Sequence, residues 1–175
     1  EINKDASMKR TQTRPLPAGR VTKNHAIGFG AATAAAGVGM LYTLTNPVVA
    51  ALGAANIALY AGPYTLTKPI SEINTYIGGI VGAVPPVMGY YAATHGFVPS
   101  WDPVVLGSIL YLWQMPHFFA LSWLYREDYA RGGFQMTAVN DATGARIAQL
   151  ITNHSLALAA LPPIVAMAGL TTSMF

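Results

Sequence analysis

Apolar and polar positions in this chain separate into long blocks. Five apolar stretches, at about 24–44, 47–64, 73–93, 103–125 and 147–170, are divided by polar intervals, and the first four are joined by short loops. A bilayer core about 30 Å thick takes roughly 20 mostly apolar residues per helix, so each stretch is expected to be a membrane-spanning helix. The stretches are rich in Gly and Ala, as in "GFGAATAAAGVG" and "IGGIVGAVPPVMG", a composition that lets membrane helices approach closely. Internal prolines at Pro85, Pro86, Pro116, Pro162 and Pro163 remove backbone hydrogen bonds and are expected to bend their helices towards protein or a water-filled cavity. Such a bundle suits a cavity wall, and equally a transporter or channel.

Composition agrees with lipid as the solvent. Hydrophobic residues make up 53% of the 175 positions and charged residues only 10%, where a soluble domain carries about a quarter charged. With no cysteine, disulfides, thiolate zinc sites and thiol nucleophiles are excluded.

The distribution of charge says more than its sum. Lys4, Lys9, Arg10, Arg14, Arg20 and Lys23 precede the first span, Lys68 lies between the second and third, and Arg126, Arg131 and Arg146 lie between the fourth and fifth. The alternate loops, "TNP" and "THGFVPSWD", hold no cation. The positive-inside rule therefore places every Lys and Arg on one face, cytoplasmic or matrix, with the N-terminus inside and the C-terminus outside. All the acids but Asp102 share that face. A soluble bundle has no reason to sort its charges by alternate loops.

On that face lies the candidate chemistry. Glu1 and Asp5, four residues apart, project from one side if a helix runs through them. Two converging acids suit Mg²⁺, which takes one or two carboxylates together with substrate phosphates. Beside them Lys9, Arg10 and Arg14 supply positive charge suited to a diphosphate. On spacing alone, anchoring to lipid head groups explains these cations better. "YTLTK" adds Tyr64 and Lys68, and "YREDYARGG" adds Glu127, Asp128 and Arg131 as a second acidic stretch expected to face the first. If the fourth helix continues past Tyr125, then His117, Leu121, Leu124 and Asp128 form one stripe, with His117 about 16 Å deeper. An ionisable group at that depth suggests a functional site, and donation to a carbonyl freed by Pro116 explains it as well.

The blocks "DASMKRTQTRPLPAG", "YTLTKPISEINTYIGGIVGAVPPVMGY", "LWQMPHFFALSW" and "REDYARGGFQM" closely resemble the UbiA-type intramembrane prenyltransferases, and within them the branch whose acceptor is protohaem IX. The resemblance implies an all-α integral membrane protein of about nine spans, of which residues 1–175 are an internal segment with five, forming part of a single prenyltransferase domain. Residues 1–23 are its acidic motif and basic arm. The implied reaction moves a farnesyl group from farnesyl diphosphate to a vinyl group of protohaem IX, giving haem O, and catalysis is expected of the longer protein.

Residue by residue, Glu1 and Asp5 match the last two positions of the family's Asn-x-x-x-Asp-x-x-x-Asp motif, with Glu for the middle Asp and the Asn position lying before Glu1. Arg10, Thr11, Arg14 and Pro15 match the following arm, Tyr64 and Lys68 match Tyr-x-x-x-Lys, and Asp128 with Tyr129 matches the second acidic motif. Leu124 stands where a strict acid pair needs a carboxylate, with Glu127 as a substitute, and Pro69 stands where many relatives carry a cation. The implied roles are Asp5, Asp128, Lys68 and Tyr64 in catalysis; Glu1, Asp5, Glu127 and Asp128 as Mg²⁺ ligands; and Lys9, Arg10, Arg14 and Arg131 as diphosphate contacts. His117 and Asn74 are implied substrate contacts, His117 on the haem acceptor, with haem B as substrate and not cofactor. Gln114 and Asn74 are suited either to orienting substrate or to satisfying backbone, and His154 to packing or to a polar role at a helix end. The implied partners are farnesyl diphosphate, protohaem IX and the lipid bilayer, with oxidase assembly factors as candidate protein partners and no nucleic acid. The mitochondrial inner membrane is the expected location, with a bacterial plasma membrane as the alternative. The rival readings are a UbiA-type enzyme with an aromatic or chlorin acceptor, and a non-catalytic haem-handling or transport protein.

Overall fold

The structure is a computed structural model and describes residues 2–170; Glu1 lies outside the described residues. Among these the chain is helical, with no strand. A short α1 (Ile2–Ser7) leads into an irregular arm. Then follow α2 (Lys23–Leu44), α3 (Pro47–Leu59), a π-helical turn (Tyr60–Tyr64), the single turn α4 (Thr65–Thr67), α5 (Ile73–Ala93) and α6 (Asp102–Leu124). Short α7 (Arg126–Arg131) and α8 (Thr137–Asn140) precede α9 (Ala145–Met167). Four segments are long and apolar enough to cross a membrane: Lys23–Leu44, Pro47–Thr67, Asp102–Leu124 and Ala145–Met167. The fifth expected span, α5, forms a helix of 21 residues, but its tyrosines, glycines and paired prolines dilute its hydropathy below that of the others.

The helices start where side chains satisfy their open N–H groups. Thr22 Oγ1 accepts from His25 N at 3.2 Å. Asn46 Oδ1 accepts from Val49 N at 3.1 Å, just ahead of Pro47 in the first turn, while Asn46 Nδ2 donates to Tyr91 O at 2.8 Å and ties the α2–α3 turn to the end of α5. At the start of α9, Asp141 accepts from Gly144 N at 3.0 Å and Ile147 N at 2.9 Å. Gly144 has φ 81°, the left-handed region that glycine enters without penalty.

Packing runs α2 to α3, α3 to α5, α5 to α6 and α6 to α9. Met115, Phe119, Ala138 and Ile147 form the main buried cluster, with Tyr76 and Trp123 against it. His154 serves this packing: its ring lies against both Tyr76 and Phe119, which also touch each other, and Nδ1 sits 2.8 Å from Leu150 O. In contrast, α2 has no buried residue.

One feature departs from the sequence reading, and another lies outside it. First, α6 stops at Leu124: Tyr125, at φ −104° and ψ 19°, leaves the helical region and α7 starts anew, so Asp128 does not continue the His117–Leu121–Leu124 stripe. Second, Pro85, Pro86, Pro116, Pro162 and Pro163 lie inside α5, α6 and α9, whereas Pro63 falls within a π-helical turn. Proline has no N–H to donate, and Thr65 N instead reaches Tyr60 O across five residues. Turns of this kind are often found at functional sites.

Candidate functional site

Long-range hydrogen bonds gather the charged segments at one end of the bundle. Lys4 Nζ donates to Gly132 O at 3.2 Å and Gly133 O at 3.0 Å. Ser7 Oγ donates to Arg131 O at 3.3 Å. Gln135 N donates to Lys68 O at 2.8 Å, and Arg146 pairs with Glu72 at 2.7 Å. The arm, the turn after α4 and the α7–α8 segment thus share one end, as the charge pattern implies, while the Asn46–Tyr91 bond closes the opposite end.

Between these segments lies a polar pocket of about 250 Å³. Asp5, Arg10, Thr11 and Arg14 come from α1 and the arm; Tyr60, Tyr64, Lys68 and Asn74 come from the middle of the chain; Phe118, Tyr129, Phe134 and Met136 complete the wall. Arg14 pairs with Asp5 at 3.2 Å. Thr11, almost wholly buried, donates through Oγ1 to Asp5 O at 2.8 Å and fixes the turn from α1 into the arm. Lys68 Nζ lies 4.4 Å from the centre of the Tyr64 ring, a cation–π contact. The Arg10 guanidinium sits 5.3 Å from the Tyr125 ring and 5.6 Å from that of Tyr129. Asn74 is fully buried, and its Nδ2 donates to Ser71 O at 2.6 Å and Gln135 O at 2.9 Å.

Below this pocket an apolar slot of about 300 Å³ runs between the π-turn, α5 and α6, and shares Tyr60, Tyr64 and Phe118 with it. Gly78, Gly79 and Gly82 form one wall; Trp113, Gln114 and His117 stand opposite. His117 is exposed on the outer rim, its ring stacked on Trp113 at 5.6 Å.

Not every candidate reaches the pocket. Asp5, Arg10, Arg14, Tyr64, Lys68 and Asn74 line it together, and His117 lines the slot. Lys9, Glu127, Asp128 and Arg131 do not. Asp128, largely buried, accepts from Lys9 N at 3.2 Å and pairs with Arg131, so it holds the backbone of the arm from behind. Burial works to raise its pKa, and the Arg131 guanidinium with the Lys9 and Arg10 amides outweighs it, keeping the carboxyl below the ordinary aspartate range. Glu127 is exposed on α7. Gln114 and Asn74 both serve backbone carbonyls, with Gln114 Nε2 donating to Gly79 O at 2.5 Å.

Glu72 is a residue that sequence reasoning passed over. Its carboxylate accepts from Asn140 Nδ2 at 2.8 Å, Arg146 at 2.7 Å and Thr137 Oγ1 at 3.2 Å, locking the turn that bears Lys68 to the start of α9. Burial pushes its pKa up, but Asn140, Arg146 and Thr137 hold it below the usual glutamate value. An acid four residues after Lys68 on a cation-rich face was the available signal. Met8, Phe134 and Met136, buried as one cluster under the arm, carried none.

Among the described residues no three acidic or histidine side chains converge as a metal cage. Asp5 is the carboxylate that lines the pocket, and Mg²⁺ commonly takes one or two carboxylates with phosphate oxygens and water. Asp5 therefore fits such an ion beside a diphosphate. Glu127 and Asp128 do not line this pocket.

A cationic pocket at one end of an all-helical membrane bundle thus opens into an apolar slot. The chain belongs to the UbiA prenyltransferase family, whose sequence profile matches residues 1–175. It is 42% identical over its whole length to the mitochondrial protoheme IX farnesyltransferase of Arabidopsis thaliana and 43% identical to that of Homo sapiens, covering 40% and 39% of those proteins. A bacterial protoheme IX farnesyltransferase, from Solibacter usitatus, is 40% identical over 98% of this chain and 58% of its own length. The chain thus spans about two fifths of the plant and human relatives. No solved structure matches it.

Proposed function

We propose that the protein containing this chain transfers the farnesyl group of farnesyl diphosphate to a vinyl group of protohaem IX, giving haem O. The observation that carries this reading is the join between the polar pocket and the apolar slot through Tyr60, Tyr64 and Phe118. A prenyl diphosphate has the same two parts, and its reacting carbon lies where they meet.

In the reaction the bond between the allylic carbon and the diphosphate oxygen breaks as a carbon–carbon bond to the outer vinyl carbon forms; the cation left on the inner vinyl carbon is then captured by a water molecule, which becomes the hydroxyl of haem O and releases a proton, while diphosphate departs. Negative charge grows on the departing diphosphate and positive charge on the prenyl carbon. Arg10 and Arg14 line the pocket in advance to meet the first, an electrostatic stabilisation that requires little rearrangement during reaction, and Lys68 joins them by turning from the Tyr64 ring. Asp5 orients Arg14 and is the described carboxylate suited to Mg²⁺, with Glu1 four residues before it. Such an ion, when bound, supplies further charge to the leaving group. The Tyr64 ring, already receiving the Lys68 ammonium, offers its face to the allylic cation once Lys68 turns to phosphate. Phe118 and the glycine wall of the slot exclude water that would quench that cation. His117, on the rim, is the acceptor-side contact in this reading, and Asp128 acts through the arm. The inner mitochondrial membrane, with the cations facing the matrix, is the proposed location, supported by the mitochondrial assignment of the plant and human relatives.

The full-length protein in detergent, supplied with Mg²⁺, farnesyl diphosphate and haem B, is expected to yield a more hydrophobic haem that carries one farnesyl group. No product under conditions in which a verified relative is active overturns the reading. Product from an aromatic acid or a chlorin, and not from haem B, assigns a different acceptor.

A further inference from the structure

Gln114 is a polar side chain laid across an apolar slot. Along α5 the slot descends from Asn74, at the polar pocket, to Gly82, about 12 Å at 1.5 Å per residue. Antiparallel to it, α6 runs from Phe118, shared by both cavities, to Gln114. Gln114 and Gly82 therefore stand at the deep end. Gln114 Nε2 donates to Gly79 O at 2.5 Å, and its Oε1 occupies the space a Cβ on Gly82 would need. Nearer the mouth, a Cβ on Gly78 would fall 2.8 Å from Cε2 of Tyr64, so the bore there leaves no room for a side chain.

We infer that Gly82 and Gln114 determine donor specificity: the amide of Gln114, pinned across α5, is a crossbar that sets the length of prenyl chain the slot accepts. The inference rests on the prenyl-donor reading of the pocket. Bulk at position 82 takes the space that Oε1 of Gln114 fills and pushes the amide into the slot, which shortens it, whereas loss of the Gln114 side chain opens its end. A longer tail meets the crossbar and either breaks the bond to Gly79 or leaves apolar carbon unburied; a shorter tail leaves the end unfilled.

The test is competition among geranyl, farnesyl and geranylgeranyl diphosphates in the full-length protein, reading relative kcat/KM for each donor with haem B as acceptor. Gly82→Val is expected to shift preference from farnesyl towards geranyl by about tenfold or more, and Gln114→Ala to shift it towards geranylgeranyl by about the same factor, the range in which one extra or missing apolar group discriminates. Opposite shifts support the crossbar. Loss of rate equal for all donors in both variants, or the same direction of shift in both, overturns it while leaving farnesyl transfer intact. Where Gly82→Val fails to fold, Gln114→Ala alone decides, since an unchanged donor ratio overturns the inference. A wild-type protein that transfers no prenyl group from any donor overturns the function reading, and this inference with it.

Discussion

The polar pocket and the slot beneath it are built in opposite ways. In the pocket, charged and polar side chains from the arm, the turn after α4 and α7 are carried together by bonds to backbone: Lys4 to Gly132 and Gly133, Asp128 to Lys9, Asn74 to Ser71 and Gln135. In the slot the space exists because α5 offers glycine where Tyr64 and Gln114 approach. One region is made by what its residues reach, the other by what they lack. On the proposed reading, a charged head is met by long-range positioning and an apolar tail by shape.

That contrast can be broken experimentally. The largest effect is expected from Lys68→Ala or Arg14→Ala, each lowering kcat/KM by about 10²–10³, the usual cost of losing one preorganised donor at a developing negative charge. The loss should be the same for every prenyl donor. A loss confined to one chain length would show that head and tail are not read separately.

A smaller effect is expected where the pocket is braced. Asn74→Ala removes the side-chain donor from the carbonyls of Ser71 and Gln135, of which Ser71 O keeps the backbone N–H of residue 74, and losing such hydrogen bonds costs about 0.5–1.5 kcal/mol each. A lower thermal midpoint in detergent, together with a raised KM for the diphosphate donor, is the expected outcome; an unaltered midpoint would show that these bonds do not brace the pocket.

The smallest effect concerns Glu72. Its pKa is lowered in the folded protein, so its contribution to stability is complete above the ordinary glutamate range and is lost as pH falls through the lowered folded value. Because Arg146 is more than half exposed, the ion pair is expected to contribute under about 1 kcal/mol. Thermal midpoints measured from neutral to acid pH should fall further in the wild type than in Glu72→Gln. Parallel curves would exclude the carboxylate as the source.

Much of the pocket was legible in the sequence because its residues lie in contiguous blocks. The arm around Arg10 and Arg14, and Tyr64 with Lys68, carry the family's spacing within a few positions, and the charge pattern alone placed them on one face. Segment directions were less legible. Nothing at Tyr125, which is neither glycine nor proline, marks the end of α6, and that break moves Asp128 behind the arm instead of into the pocket. The slot was not legible at all. Gly78 and Gly82 read as ordinary close-packing residues until Tyr64 and Gln114 are seen opposite them, because a missing side chain has no meaning without its neighbour. Glu72 was missed for a related reason: its partners Thr137, Asn140 and Arg146 lie more than sixty residues away.

The widened turn at Tyr60–Tyr64 places a constraint on chain length rather than on chemistry. Each residue of an α-helix advances the azimuth by about 100°, so deleting one residue there, and restoring regular winding, would rotate Lys68 and the turn behind it away from Arg10 and Arg14 while every side chain stayed the same. Length variation among homologues is thus expected to spare this turn, even where its individual residues drift.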